Sequence, residues 1–173
     1  MPSSPNDEDP RFAPPDLADA GRSRSREALE LPDSVLAKIR TAQVIHGALV
    51  VGVGVFLAIV AVLQSGGSIQ GNASLVTLGW MLPLGLGAAA LTAAPAIRRV
   101  ALAAAKAQPA QAAERFVQTS ILLGAILEGP ALLAAVMGLL SGSGLPLVVG
   151  AALVVAMALQ FPSKAKAIEF LGG

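Results

Sequence analysis

The chain reads as an all-α, polytopic membrane protein, with four transmembrane helices arranged as two tandem helical hairpins. Three observations predict this class. Of 173 residues, 54% are hydrophobic and only 13% charged, whereas roughly a quarter of a soluble domain is charged. The apolar residues gather in four blocks, Val44–Leu63, Leu75–Ile97, Ile121–Leu140 and Leu145–Leu159. All 12 Lys and Arg residues lie outside those blocks. A crossing helix needs about 20 apolar residues, at 1.5 Å each, to traverse roughly 30 Å of hydrocarbon. Three blocks meet that length. The fourth is short and needs Gln160, Phe161 or a locally thin bilayer to complete it. The spans then cover residues 44–63, 75–97, 117–140 and 145–161.

Residues 1–32 precede this transmembrane domain (33–173) and differ from it in kind. They are rich in Pro and Ser, interleave acids with bases and hold few large apolar side chains. Such a stretch cannot bury enough surface to offset its chain entropy, so the sequence predicts a disordered tail. It lacks the short apolar core and small-residue cleavage site of a secretory signal, which leaves the first hydrophobic helix as an uncleaved anchor. Arg22, Arg24 and Arg26 alternate with serines. With acids nearby and aromatics lacking, they read as part of a solvated tail, and no nucleic-acid partner is expected.

Pro32-Asp33-Ser34 is a helix-start signal, because Asp33 or Ser34 can accept from the free amides of the first turn. Val35, Leu36 and Ile39 then share one side, with Lys38 and Arg40 beside them. This is the pattern of an amphipathic lead-in at the interface, running into the first span. The connections Gln64–Ser74 and Ser141–Gly144 carry no charge, whereas the middle segment Arg98–Ser120 carries Arg98, Arg99, Lys106, Glu114 and Arg115. By the positive-inside bias, both termini and the middle segment are cytoplasmic, in a cell (inner) membrane. The Ala/Gly/Leu-rich, Lys-poor composition fits a GC-rich bacterial genome.

A weak internal repeat accompanies this layout. Val44–Gly67 set against Ile121–Gly144 without gaps aligns Gly47 with Gly124 and Gly52 with Gly129, and Leu82-Pro83-Leu84 echoes Leu145-Pro146-Leu147. A duplication of this kind would be parallel, each copy starting on the cytoplasmic side. Val51 would then occupy the place of Glu128.

Little in the chain points to catalysis. Cysteine is absent, which removes disulfides, thiolate nucleophiles and Cys-ligated metals. No nucleophile elbow, phosphate loop or zinc helix is present, so neither an enzyme activity nor a cofactor is expected. His46 lies inside the first span without metal-ligating partners in register and reads as an interfacial or helix-bonded imidazole. Thr77, Thr92, Thr119 and Ser120 read as hydroxyls bonded back to helix carbonyls.

Glu128 stands apart as the sole acidic residue in any span. An ionised carboxylate near the bilayer middle costs at least a few kcal/mol, so it must be neutral, paired or facing water. No Lys or Arg in a span can pair with it. Pro130 cannot donate to the carbonyl of Ile126, which leaves an acceptor within a turn of the acid. Glu128, Ile126 and Pro130 are therefore the candidate ion or proton site. Gly124, Ala131 and Ala135 lie at i−4, i+3 and i+7 from Glu128 and form a small-residue strip for close helix approach, with Gly47 and Gly52 as its counterparts on the first span.

The run from Lys106 through Gln108-Pro109 to Leu127-Glu128-Gly129 and Val136 resembles the proteolipid c subunit of rotary F-type and vacuolar-type ATP synthases. The resemblance covers some 35 residues, namely the polar cytoplasmic loop and the carboxylate-bearing helix. Gln108-Pro109 matches the loop's polar-Pro element, Ala107 stands where the family usually has Arg, and Glu128 matches the ion-carrying carboxylate. The resemblance implies a homo-oligomer or an assembly with other membrane subunits, exchanging a proton or cation at Glu128. The alternative is a non-transporting scaffold or accessory subunit in which Glu128 only joins helices.

Overall fold

A computed structural model describes residues 31–67 and 71–172. The tail expected to be disordered, residues 1–32, lies outside the described residues apart from Leu31 and Pro32. The elements are α1 Asp33–Ser65, α2 Val76–Ala107, α3 Ala112–Ser141, α4 Leu145–Leu159 and α5 Lys164–Gly172, with short 3-10 turns at Ala73–Leu75 and Pro109–Gln111. Among the described residues there is no strand.

Three helices are long and apolar enough to cross a membrane, namely α1, α2 with its preceding turn, and α3 with its preceding turn. Helices α4 and α5 pass only as a pair, and the pair is bent by 60° where they meet. Pro162 lies at that bend; it has no amide to continue a helical ladder, and it disfavours helical backbone at Phe161. The fourth apolar helix thus stops at Leu159, two residues before the expected end.

The surface identifies the solvent. Val44 and Val51 on α1, Leu78 and Met81 on α2, Leu122 and Val136 on α3, and Val148 and Leu159 on α4 are all exposed, Leu159 at 76%. A soluble bundle keeps polar residues on its outer face, whereas helices apolar all round are surrounded by protein or lipid. This is a membrane protein.

Helix α3 is the centre of the bundle, packing against α1, α2 and α4. Helix α4 closes the opposite side and touches α1 and α2 as well. Helices α1 and α2, although consecutive, have no substantial mutual packing. The expectation of two tandem hairpins therefore holds for α3–α4 as a packed pair and fails for α1–α2, which α3 and α4 hold apart. The reason lies in side-chain size. Helix α3 offers Ala131 and Ala135, fully buried, to a core built from Val53, Leu57 and Val60 of α1, Ala90 of α2, Leu127 of α3, and Leu153 and Met157 of α4. Small residues let helix backbones approach closely, and in lipid such packing takes the place of a hydrophobic drive.

One further expectation changes. The charged middle segment is mostly helix, because Val100-Ala-Leu-Ala-Ala-Ala-Lys is a strong helix-forming run and carries α2 on to Ala107. Only Gln108–Gln111 forms the connection to α3. The amphipathic lead-in is continuous with the first span in one 33-residue helix, with Ile39 and Ala42 already buried.

Candidate functional site

Glu128 lies on α3, sixteen residues after Ala112, or roughly 24 Å along the axis, close to the helix centre. It shares a flank with Ile121, Leu132 and Leu139, all half-buried like Glu128 itself. Its carboxyl group makes no hydrogen bond or ion pair among the described residues. Nor are its oxygens among the enclosed unpartnered atoms, which are His46 Nδ1, Arg115 Nε and Gln160 Oε1. Glu128 is thus only partly enclosed by the bundle, on a flank of α3 at mid-span. Pro130 is buried within α3 and the helix runs through it unbroken. The Ile126 carbonyl thus loses its in-helix donor one turn before Pro130, and Ile126 is itself half-buried.

The packing residues divide. Gly124, Ala131 and Ala135 are buried on the inward face of α3, so the strip beside Glu128 is filled by this chain's own helices. Gly52 is exposed, and a β-carbon there would meet nothing within 4 Å. Gly47 would touch Phe161 at 4.0 Å, an ordinary contact. Gly52 sits on the outer side of α1, so within this chain the close approaches fall to other glycines. A β-carbon on Gly150 would press Leu57 Cδ2 at 2.7 Å, and one on Gly138 would press Leu147 Cδ2 at 2.8 Å.

His46 is 1% exposed. Its Nε2–H donates to the Met157 carbonyl at 2.8 Å, since a carbonyl can only accept, and Nδ1 is enclosed without a partner among the described residues. Phe161 meets the ring edge-to-face with centroids 5.6 Å apart. The helix-bonded reading of this imidazole is the one observed. Thr92, Thr119 and Ser120 bond back to Ala89, Arg115 and Phe116 carbonyls as expected.

Sequence reasoning missed two further side-chain ties made by α1. Gln43 Nε2 donates to the Pro162 carbonyl at 2.9 Å. Gln64 Nε2 donates to Gly138 at 2.7 Å and to Ser143 at 3.2 Å. His46 and Gln64 are eighteen residues apart, five turns at 3.6 residues each, and so lie on one face about 27 Å apart. Helix α1 thereby adds side-chain donors at and just beyond the ends of α3 and α4, at Gly138 and Met157 as second donors beside the Gly142 and Gln160 N–H groups. The available signal was three uncharged polar residues on one side of an otherwise apolar helix.

At the Gln108–Gln111 turn, Gln108 N–H caps α2 through Ala104 and Ala105, its carbonyl accepts from Gln111, and its Oε1 accepts from Arg115 Nη2 at 3.1 Å. The polar-Pro element is thus a rigid helix-to-helix turn.

The chain matches no protein-family model, no curated protein and no solved structure.

Proposed function

We propose that this protein is a proteolipid-like integral membrane protein that exchanges a proton or cation at Glu128. It crosses a cell (inner) membrane four times, the short α4 with its bend counting as the fourth span, and has both termini in the cytoplasm. It acts as a homo-oligomer or beside other membrane subunits.

One observation supports this reading above the rest. The mid-span carboxyl makes no bond among the described residues and is half-buried on a flank of α3, where a neighbouring subunit or an entering ion can meet it. An acid that only joined this chain's own helices would be enclosed and hydrogen-bonded. The Ile126 carbonyl freed by Pro130 supplies a second oxygen within a turn. The scaffold reading keeps one specific support, the fixed ties of Gln43, His46 and Gln64, which give the bundle no evident moving part.

Carbodiimide labelling of the purified, lipid-embedded protein tests the proposal. The native chain should be modified at Glu128 and protected by raised pH or by the exchanged cation, and Glu128→Gln should be unmodified with its assembly unchanged. Labelling that persists in Glu128→Gln, or a native carboxyl that never reacts, rejects exchange at this residue. Native mass spectrometry in lipid separates the two readings, a closed ring favouring exchange and a monomer favouring the scaffold.

A further inference from the structure

A second feature lies at the opposite level of the bundle from the uncharged turns. A cavity of about 230 Å³ opens between the C-terminal part of α2, the first turns of α3 and the α4–α5 bend. Its walls carry three cations, Arg98, Arg99 and Lys166, against one acid, Glu169. No ion pair forms between them among the described residues. Its floor is apolar, with Phe116 and Leu123 both buried. Phe116 is twelve residues from Glu128, roughly 18 Å along α3. With Glu128 near the bilayer middle, that distance exceeds half of a hydrocarbon core about 30 Å thick, so the cavity opens at headgroup level beside Phe116 and deepens towards Leu123.

We infer that this cavity binds the phosphate of an anionic phospholipid headgroup. Charge complementarity selects the occupant, because two guanidiniums and an ammonium without carboxylate partners among the described residues match a phosphate diester, and basic pockets between helices at the membrane surface recognise such groups. Size agrees. The volume falls below the roughly 300–1,000 Å³ of pockets that enclose drug-sized ligands, so it takes a headgroup and leaves the acyl chains against the apolar outer face. Gln160 Oε1, enclosed and unpartnered at the same cavity, offers an acceptor for a headgroup hydroxyl. Burial and the neighbouring Arg98 hold Lys166 below its ordinary pKa, as expected of cations gathered without an anion. The inference rests on the membrane reading and is independent of exchange at Glu128.

The test is lipid titration of the full chain in detergent micelles, read by native mass spectrometry, with phosphatidylglycerol, phosphatidylcholine and inorganic phosphate as separate probes. Phosphatidylglycerol should bind at least tenfold more tightly than phosphatidylcholine, and millimolar phosphate should displace it only weakly. Arg98→Gln with Arg99→Gln should remove most of that preference. Lys106→Gln with Lys164→Gln removes the same charge away from the cavity and should leave the preference within twofold. Equal binding of the two lipids, equal losses in both double variants, or retention of inorganic phosphate without lipid selectivity would each overturn the assignment, the last in favour of a soluble phosphate ligand.

Discussion

Gly124 of α3 leaves the space that the His46 imidazole of α1 fills. A β-carbon on residue 124 would stand 2.9 Å from Nδ1 and 3.2 Å from Cε1. The ring cannot swing away freely, because Nε2 is tied to Met157 and Phe161 stands against its edge. One glycine on the third span thus decides whether the first span can cap the fourth.

Gly124→Ala should therefore destabilise the bundle by about 1–3 kcal/mol, the usual cost of overpacking a tight contact. Gly129→Ala, one turn on and open to 4 Å, should be neutral or gain up to about 1 kcal/mol from helix propensity. Unfolding in mixed micelles, followed by helical circular dichroism, gives both values. Equal effects at the two positions would mean that the His46 contact does not limit the packing.

Gln64→Leu should cost about 0.5–1.5 kcal/mol, because it keeps the bulk and removes the side-chain donor shared by the Gly138 and Ser143 carbonyls, of which Gly138 keeps its bond from Gly142 N–H. Amide exchange around the Ser141–Gly144 turn should quicken in this variant while the α2–α3 turn at Gln108 stays protected. Uniform quickening across the chain would indicate general loosening and remove the local role given to Gln64.

These ties show where sequence reading ran out. The four apolar blocks are visible because membrane burial acts on composition, and Glu128 is visible because a lone acid is costly in hydrocarbon. Helix order in space is not written in composition. Gly47 and Gly124 align in the sequence repeat, yet only Gly124 is pressed, since that depends on which helix lies opposite. Gln64 reads as the start of an uncharged connection, and only the continuation of α1 to Ser65 places it on the His46 face. Arg98 and Lys166, sixty-eight residues apart, meet at one cavity because α4 bends at Pro162, an event no local pattern announces.

The absence of native cysteine makes sidedness directly testable. Ser143→Cys, between α3 and α4, should react with a membrane-impermeant maleimide applied to the outer side of sealed cells. Gln108→Cys, in the exposed turn between α2 and α3, should react only after permeabilisation. The reverse pattern would place both termini outside, and reaction of both from one side would remove α3 as a crossing helix.

Lys166 gives the bundle a signature in alkali. Burial first, and then Arg98, lower its pKa from the model-compound value of 10.5. In the window between the lowered value and 10.5 the unfolded chain holds more protons than the folded one, so stability must rise with pH there. Below that window both forms are charged, and the cost of crowding Lys166 against Arg98 is constant. Deprotonation does not strip the α4 cap, because a neutral amine keeps two N–H donors for its bonds to Leu159 at 2.9 Å and Phe161 at 3.0 Å. The difference in stability between the native chain and Lys166→Met should therefore grow in the native chain's favour as pH climbs towards 10.5. Arg98→Gln should shrink that growth without abolishing it, since burial is the larger cause. Added phosphatidylglycerol should flatten it further by returning an anion to the site. Parallel pH profiles for the native and Lys166→Met chains, measured by unfolding in micelles, would show that this lysine is as well solvated in the folded protein as in the unfolded one.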